Sequence, residues 1–355
     1  MKKLIILSLI ALLASGMAFA QVSLSGQIQY EVADDFDNPG VVKSDPDTQI
    51  KVNVKDDYNS GMIRLRVRKE DTTGTTGKWV DYDRAYFTTD VLGGLGVKDA
   101  PVAVYNTIGL NEFAPAYVGN VNWDIVKGVT VNKNYWTSYG LMPKVSIMKM
   151  VDVAAAFDLT SDTLKKFFTD VVVSLPAGPG ALKVEGTYGV NGTSDFGEGY
   201  FLAQLAYAMK VGDIGLNLGG AYNAELADTG ISGYGFGVKA DMGMAYGFVG
   251  LQGAMKNDDA GYDGEALHNV RLAAGVKPVP FFGLDAGVIL YTGSEDSVGT
   301  DNEVLNTLDI SGVLYVGKAS WRIGYILTPD GDNSIDPYQT DAATKGLYLV
   351  GTLAF

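Results

Sequence analysis

Cysteine is absent from all 355 residues, which rules out a disulfide framework, a thiolate nucleophile and a cysteine metal site. The one histidine, His268, leaves histidine-based acid–base chemistry a single candidate. Basic residues are the minority, 27 against 41 acidic, and a net charge of −14 repels phosphate backbones, so nucleic acid is excluded as a partner. Past Leu13 there is no run of about eighteen or more apolar residues, so no helix here is long and apolar enough to cross a bilayer.

The short apolar run that does exist, Leu4 to Leu13, follows Lys2 and Lys3 and precedes Ala18-Phe19-Ala20, the small-x-small pattern of a secretory signal. Residues 1–20 are therefore read as a signal peptide and residues 21–355 as the mature, single-domain protein. Without Lys2 and Lys3, 25 basic residues face 41 acidic ones, a net charge of −16.

What the chain has in abundance is alternation, supported by 45 glycines, 20 tyrosines and 14 phenylalanines, a composition that favours strands and tight turns. The first segment puts Val22, Leu24, Gly26, Ile28, Tyr30 and Val32 on one face and Ser23, Ser25, Gln27, Gln29 and Glu31 on the other, because successive strand side chains point to opposite sides. Period-2 segments recur at 22–32, 48–56, 61–70, 79–88 and 101–108. They resume at 151–159, 168–175, 181–190, 200–211, 213–222, 232–242, 245–256, 267–277, 283–291, 305–316, 319–327 and 346–355.

Connections alternate between short turns, such as Gly317-Lys318, and long polar loops, such as 328–345, as in a two-sided membrane barrel with its short turns on the periplasmic side. Tracing strand direction from both ends leaves one downward strand missing between 109 and 150, within Gly128 to Trp136 or Pro143 to Met150. The fold class is thus all-β, a transmembrane antiparallel β-barrel of 16–18 strands, with 18 favoured by parity. A secreted β-sandwich alternates as well, but about seventeen strands in one series exceed what a sandwich carries, and closure removes the exposed edges.

The last segment alternates Leu347, Leu349, Gly351, Leu353 and Phe355 on one face and stops on the aromatic residue. With the export signal and the opening Val22 to Tyr30, this pattern resembles the general porins of Gram-negative outer membranes over the whole mature length. The resemblance implies that Leu347, Leu349, Leu353 and Phe355 form an assembly signal, that the barrel is a homotrimer in outer-membrane lipid, and that it passes small hydrophilic solutes.

The most distinctive residues lie in Met62 to Glu70, where Ile63, Leu65 and Val67 face lipid and Arg64, Arg66 and Arg68 face the lumen. The opposite register would cost about 2 to 4 kcal/mol per arginine near the bilayer midplane. Lys51 and Lys55 point inward from the preceding strand, and Arg84 joins them if its strand takes the matching register. General porins fold a long loop into the barrel after the fifth strand and set acidic residues against a basic ladder. The resemblance gives that role to the irregular stretch after Ile108, with Glu112 and Asp124 opposite the cations. The plainer reading is that the cations hydrate the lumen and bridge to Asp81 and Asp83.

Acidic residues gather in the expected outer loops: Asp34, Asp35, Asp37, Asp45 and Asp47; Asp258, Asp259, Asp263 and Glu265; Glu295, Asp296, Asp301 and Glu303. They stay solvated or take up bridging divalent cations. Asp330, Asp332, Ser334, Asp336 and Asp341 match oxygen positions of a calcium loop, but Ile335 stands where such a loop needs glycine, and an ordinary polar loop is the plainer account. Catalysis is unsupported: His268 shares a face with Val270 and Leu272, and Gly233, Gly235 and Gly237 alternate within a strand rather than opening a helix. No cofactor is implied. The reading is a passive channel, with a barrel that anchors adhesive or antigenic loops as the alternative.

Overall fold

A ribbon that is apolar on one side and polar on the other is stable in a bilayer only when its backbone groups pair without leaving an edge. The computed structural model describes residues 21–34, 42–68, 81–97, 100–113, 136–159, 166–191, 199–225, 231–256, 267–292, 305–327 and 346–355. The strands are β1 (Gln21–Asp34), β2 (Val42–Lys55), β3 (Asn59–Arg68), β4 (Asp81–Asp90), β5 (Val102–Phe113), β6 (Trp136–Ile147), β7 (Val151–Asp158), β8 (Lys166–Ala177) and β9 (Gly180–Asn191). They continue as β10 (Gly199–Val211), β11 (Ile214–Glu225), β12 (Ile231–Asp241), β13 (Ala245–Lys256), β14 (Leu267–Val279), β15 (Phe282–Thr292), β16 (Leu305–Val316), β17 (Ala319–Leu327) and β18 (Gly346–Ala354). One helical turn, α1 (Val91–Gly94), follows β4 and is capped by Asp90, whose carboxylate accepts from Gly93 N at 3.0 Å.

Every strand pairs antiparallel with its sequence neighbours, and β1 pairs with β18 from Gln27↔Ala354 to Ala33↔Tyr348, which closes an 18-stranded ring. The partition is inverted relative to a soluble protein. Leu24 and Ile323 are 67% and 61% exposed on the outside, whereas Arg271, Glu185, Thr187 and Asp309 are buried inside.

The strand demanded by parity is β6. It begins at Trp136, where one expected window ends, and covers residues 143–147 of the other. Three further differences have local causes. β2 begins at Val42 rather than 48, so Asp45 and Asp47 are strand residues, paired with Glu31 and Gln29. β5 runs through Phe113, so Glu112 lies on a strand, paired with Thr137, and not in an irregular stretch. In β4 the register shifts between Arg64↔Arg84 and Leu65↔Tyr82, so Asp83 is an extra residue that bulges out of the ladder.

The seam is sealed at the chain's end. Gly26 N donates to Phe355 O at 3.0 Å, Phe355 N donates to Gly26 O at 3.1 Å, and the Phe355 ring lies where a Cβ on residue 26 would stand. The short turns use glycine for left-handed backbone, as at Gly212 (φ 61°) and Gly317 (φ 59°). The β6–β7 turn instead places Met148 and Lys149 there, at φ 53° and 58°.

Candidate functional site

Cross-strand register converts the sequence ladder into a grid. Ser25, Lys51, Arg64 and Arg84 occupy one row across β1, β2, β3 and β4, and Gln27, Gln49, Arg66 and Asp81 occupy the next. Lys51, Arg64 and Arg84 are thus successive neighbours, with Cβ atoms about 4.5 to 5.5 Å apart as for any directly opposed pair. All three are half-buried. Like charges placed directly opposite repel. The bulge at Asp83 is what admits Arg84, because it switches the parity of β4 and leaves Tyr82 opposite the outward Leu65.

The rest of this arc is polar and hydrogen-bonded. Thr88 and Thr107 share a bond of 2.8 Å between β4 and β5, and Asn53 Nδ2 donates to Ser25 Oγ at 3.1 Å. Arg68 pairs in register with Asp47 further up β3, and Lys55 is exposed at the short-turn end. Glu112 takes a register position two residues beyond Leu110 on β5. Asp124 and the candidate calcium residues Asp330, Asp332, Ser334, Asp336 and Asp341 lie outside the described residues, as do the acidic loop residues at 258–265 and 295–303. Among the described residues no group of three His, Cys, Asp or Glu is placed to hold a metal. Leu347, Leu349, Leu353 and Phe355 all fall on the exposed outer face, alternating with buried Tyr348.

On the rest of the ring, β6 to β9 and β13 to β18, charge is tied to the wall. Arg322 Nη2 meets Asp285 Oδ2 at 2.9 Å and its Nη1 donates to Ser311 Oγ at 2.7 Å, while Tyr246 Oη donates to Asp285 Oδ1 at 3.1 Å. Tyr348 Oη bonds Asp309 at 2.9 and 3.1 Å. Both phenols lie flat across a glycine of the adjacent strand, Gly275 and Gly324, where any Cβ would collide with the ring. Tyr200 lies over Gly189 in the same way. On β8 and β9, Thr187 Oγ1 donates to Asp170 at 2.8 Å and approaches Glu185 at 3.4 Å, and Lys144 on β6 pairs with Asp152 on β7 at 2.6 Å.

Alternation along a single strand does not mark these groups as partners. Tyr246 and Asp285 are 39 residues apart, as are Tyr348 and Asp309, and only the closed register brings them together. The inward glycines were the available signal, since a wall position without a side chain leaves room for a neighbour's ring.

Comparison with solved structures gives the fold its relatives. A BenF-like porin from Pseudomonas fluorescens Pf-5 aligns over 95% of this chain and 98% of its own, with TM-score 0.57 and 11% identity. The chain has the fold of the bacterial outer-membrane porins. The trimer form of OmpT, an outer membrane protein of Vibrio cholerae, aligns at TM-score 0.54 and 11% identity over 95% of this chain and all of that one. A triple mutant of the Rhodopseudomonas blastica porin gives 0.53 and 15% over 94% of this chain and all of that one. No protein-family model and no curated protein matches the sequence. The porin fold gives each inward residue of the arc a place on the wall of an enclosed lumen.

Proposed function

We propose that the protein is an outer-membrane porin, a passive channel for small hydrophilic solutes and ions, in which the Lys51–Arg64–Arg84 row with Arg66 and Arg68 biases passage toward anions. The observation that carries this reading is the row itself: three cations in direct succession on the inner face of a ring whose outside is apolar. A purely structural wall gains nothing from such a row, whereas a channel gains a local positive field. Export by residues 1–20, uptake of divalent cations by the acidic loops, and assembly into a homotrimer, as in the trimer form of OmpT, belong to the same proposal.

Replacing Lys51, Arg64 and Arg84 by Gln and measuring reversal potentials across a planar bilayer tests it. The expected result is retained conductance with the anion-to-cation permeability ratio lowered about threefold. An unchanged ratio removes the row from the mechanism, and purified protein that inserts without passing current favours a barrel that only anchors its loops.

A further inference from the structure

The inner wall carries a second group of cations, far around the ring from the first and at its short-turn end. Lys239 lies two residues from the end of β12, Lys277 two from the end of β14, and Tyr315 one from the end of β16. Tyr315 follows buried Asp309, Ser311 and Val313 on the inward face; the alternation of β14 ends at a register shift after Val276, and Lys277 is placed by its contact with the Tyr315 ring. Each ammonium is held against a ring. Lys277 Nζ sits 3.9 Å from the Tyr315 centroid, and Lys239 Nζ sits 5.2 Å from that of Tyr246.

This arrangement differs from an ordinary solvated lysine. Tyr315 passes over Gly283, and Tyr246 is fixed through its bond to Asp285, which Arg322 in turn holds. Stacking on a fixed ring restricts the lysine stem while leaving ammonium protons to point at water. Lys277 is exposed, at the mouth. Within the cluster Asp285 is neutralised by Arg322, and Asp241, opposite Tyr246 in register, turns its carboxylate to Gly243 N at 2.8 Å in the turn, so the braced lysines outnumber the one remaining carboxylate.

We infer that Lys239 and Lys277, braced on Tyr246 and Tyr315, form an anion-capture station at the short-turn mouth, for solutes with two or more negative groups such as polycarboxylates or polyphosphates. The inference rests on the channel reading. On β12 to β16, the station stands across the lumen from the β2–β4 row, so an anion meets the two cationic surfaces at different depths. A station at one mouth makes the channel asymmetric: a polyvalent anion is caught sooner when it arrives from that side.

The test uses the full protein in planar bilayers in KCl, with inorganic tripolyphosphate added to each side in turn. Wild type is expected to be blocked from one side at about fivefold lower concentration than from the other. Lys239→Gln/Lys277→Gln should keep the KCl conductance and abolish the difference, while Lys149→Gln, a turn cation at the same end but outside the cluster, should preserve it. Equal block from both sides in wild type, an asymmetry that survives the double variant, or one equally lost in Lys149→Gln each overturns the station. Absence of KCl conductance in wild type instead takes down the channel reading on which it rests.

Discussion

On β2 to β4, Lys51, Arg64 and Arg84 stand shoulder to shoulder in one register row, whereas on β13 to β18 Tyr246, Asp285 and Arg322 are bonded in one set and Tyr348 and Asp309 in another. The same closed sheet thus holds charge in two ways. In the second arc opposite charges and phenols satisfy each other, and glycines are spent to let the rings lie flat. In the first, like charges are set side by side.

The contrast is sharpest when the bonded arc is cut. Arg322→Met leaves the Asp285 carboxylate without its cation in a mostly buried setting, and should lower stability by about 2 to 3 kcal/mol, read from urea unfolding in detergent. Adding Asp285→Leu should restore more than half of that loss; a further decrease would mean the pair is not the unit described. Gly324→Val comes next: its side chain takes the space of the Tyr348 ring and frees Asp309 from the phenol, at a cost of about 2 kcal/mol by the same measurement.

In the basic arc the expectation reverses. Arg64→Gln should leave stability within about 0.5 kcal/mol of wild type or raise it, because relief of repulsion offsets lost contacts. A drop as large as that of Arg322→Met would erase the distinction between the arcs. The smallest effect lies below this arc, in the β2–β3 turn. Asp56 accepts from Tyr58 N at 2.8 Å and from Asn59 N at 2.6 Å, and those bonds, that to Tyr58 foremost, hold its carboxyl below the ordinary 3.8. Because the folded value is depressed, its contribution is complete above the unfolded value and fades as pH falls through the folded one. Amide exchange at Tyr58 and Asn59 should be steadily protected down to about pH 4 and weaken below it, and Asp56→Asn should flatten that dependence.

Closure and strand number were legible because alternation over hundreds of residues leaves lipid and water only one arrangement each. Most of what escaped did so for local reasons. β6 contains Pro143, which has no N–H to give, and its ladder to β7 skips from Leu141↔Phe157 to Lys144↔Ala154, so a strand with proline in its middle reads as loop. The first half of β2 holds Asp45, Pro46 and Asp47, polar or proline on both faces. β4 hides its parity behind the bulge at Asp83, and with it the place of Arg84. The tyrosine–glycine–aspartate ties are a different matter: their partners are fixed by register between strands, which no single segment encodes.

The bond between Gly26 and Phe355 joins residues more than three hundred positions apart, and the whole β1–β18 ladder shares that separation. Such a contact is entropically the last to form, and until it forms two bare strand flanks invite pairing with other chains. A chain that has lost its final segment therefore has no smaller ring to fall back on. Completion of the wall and release from aggregation risk become a single event, decided at the last strand.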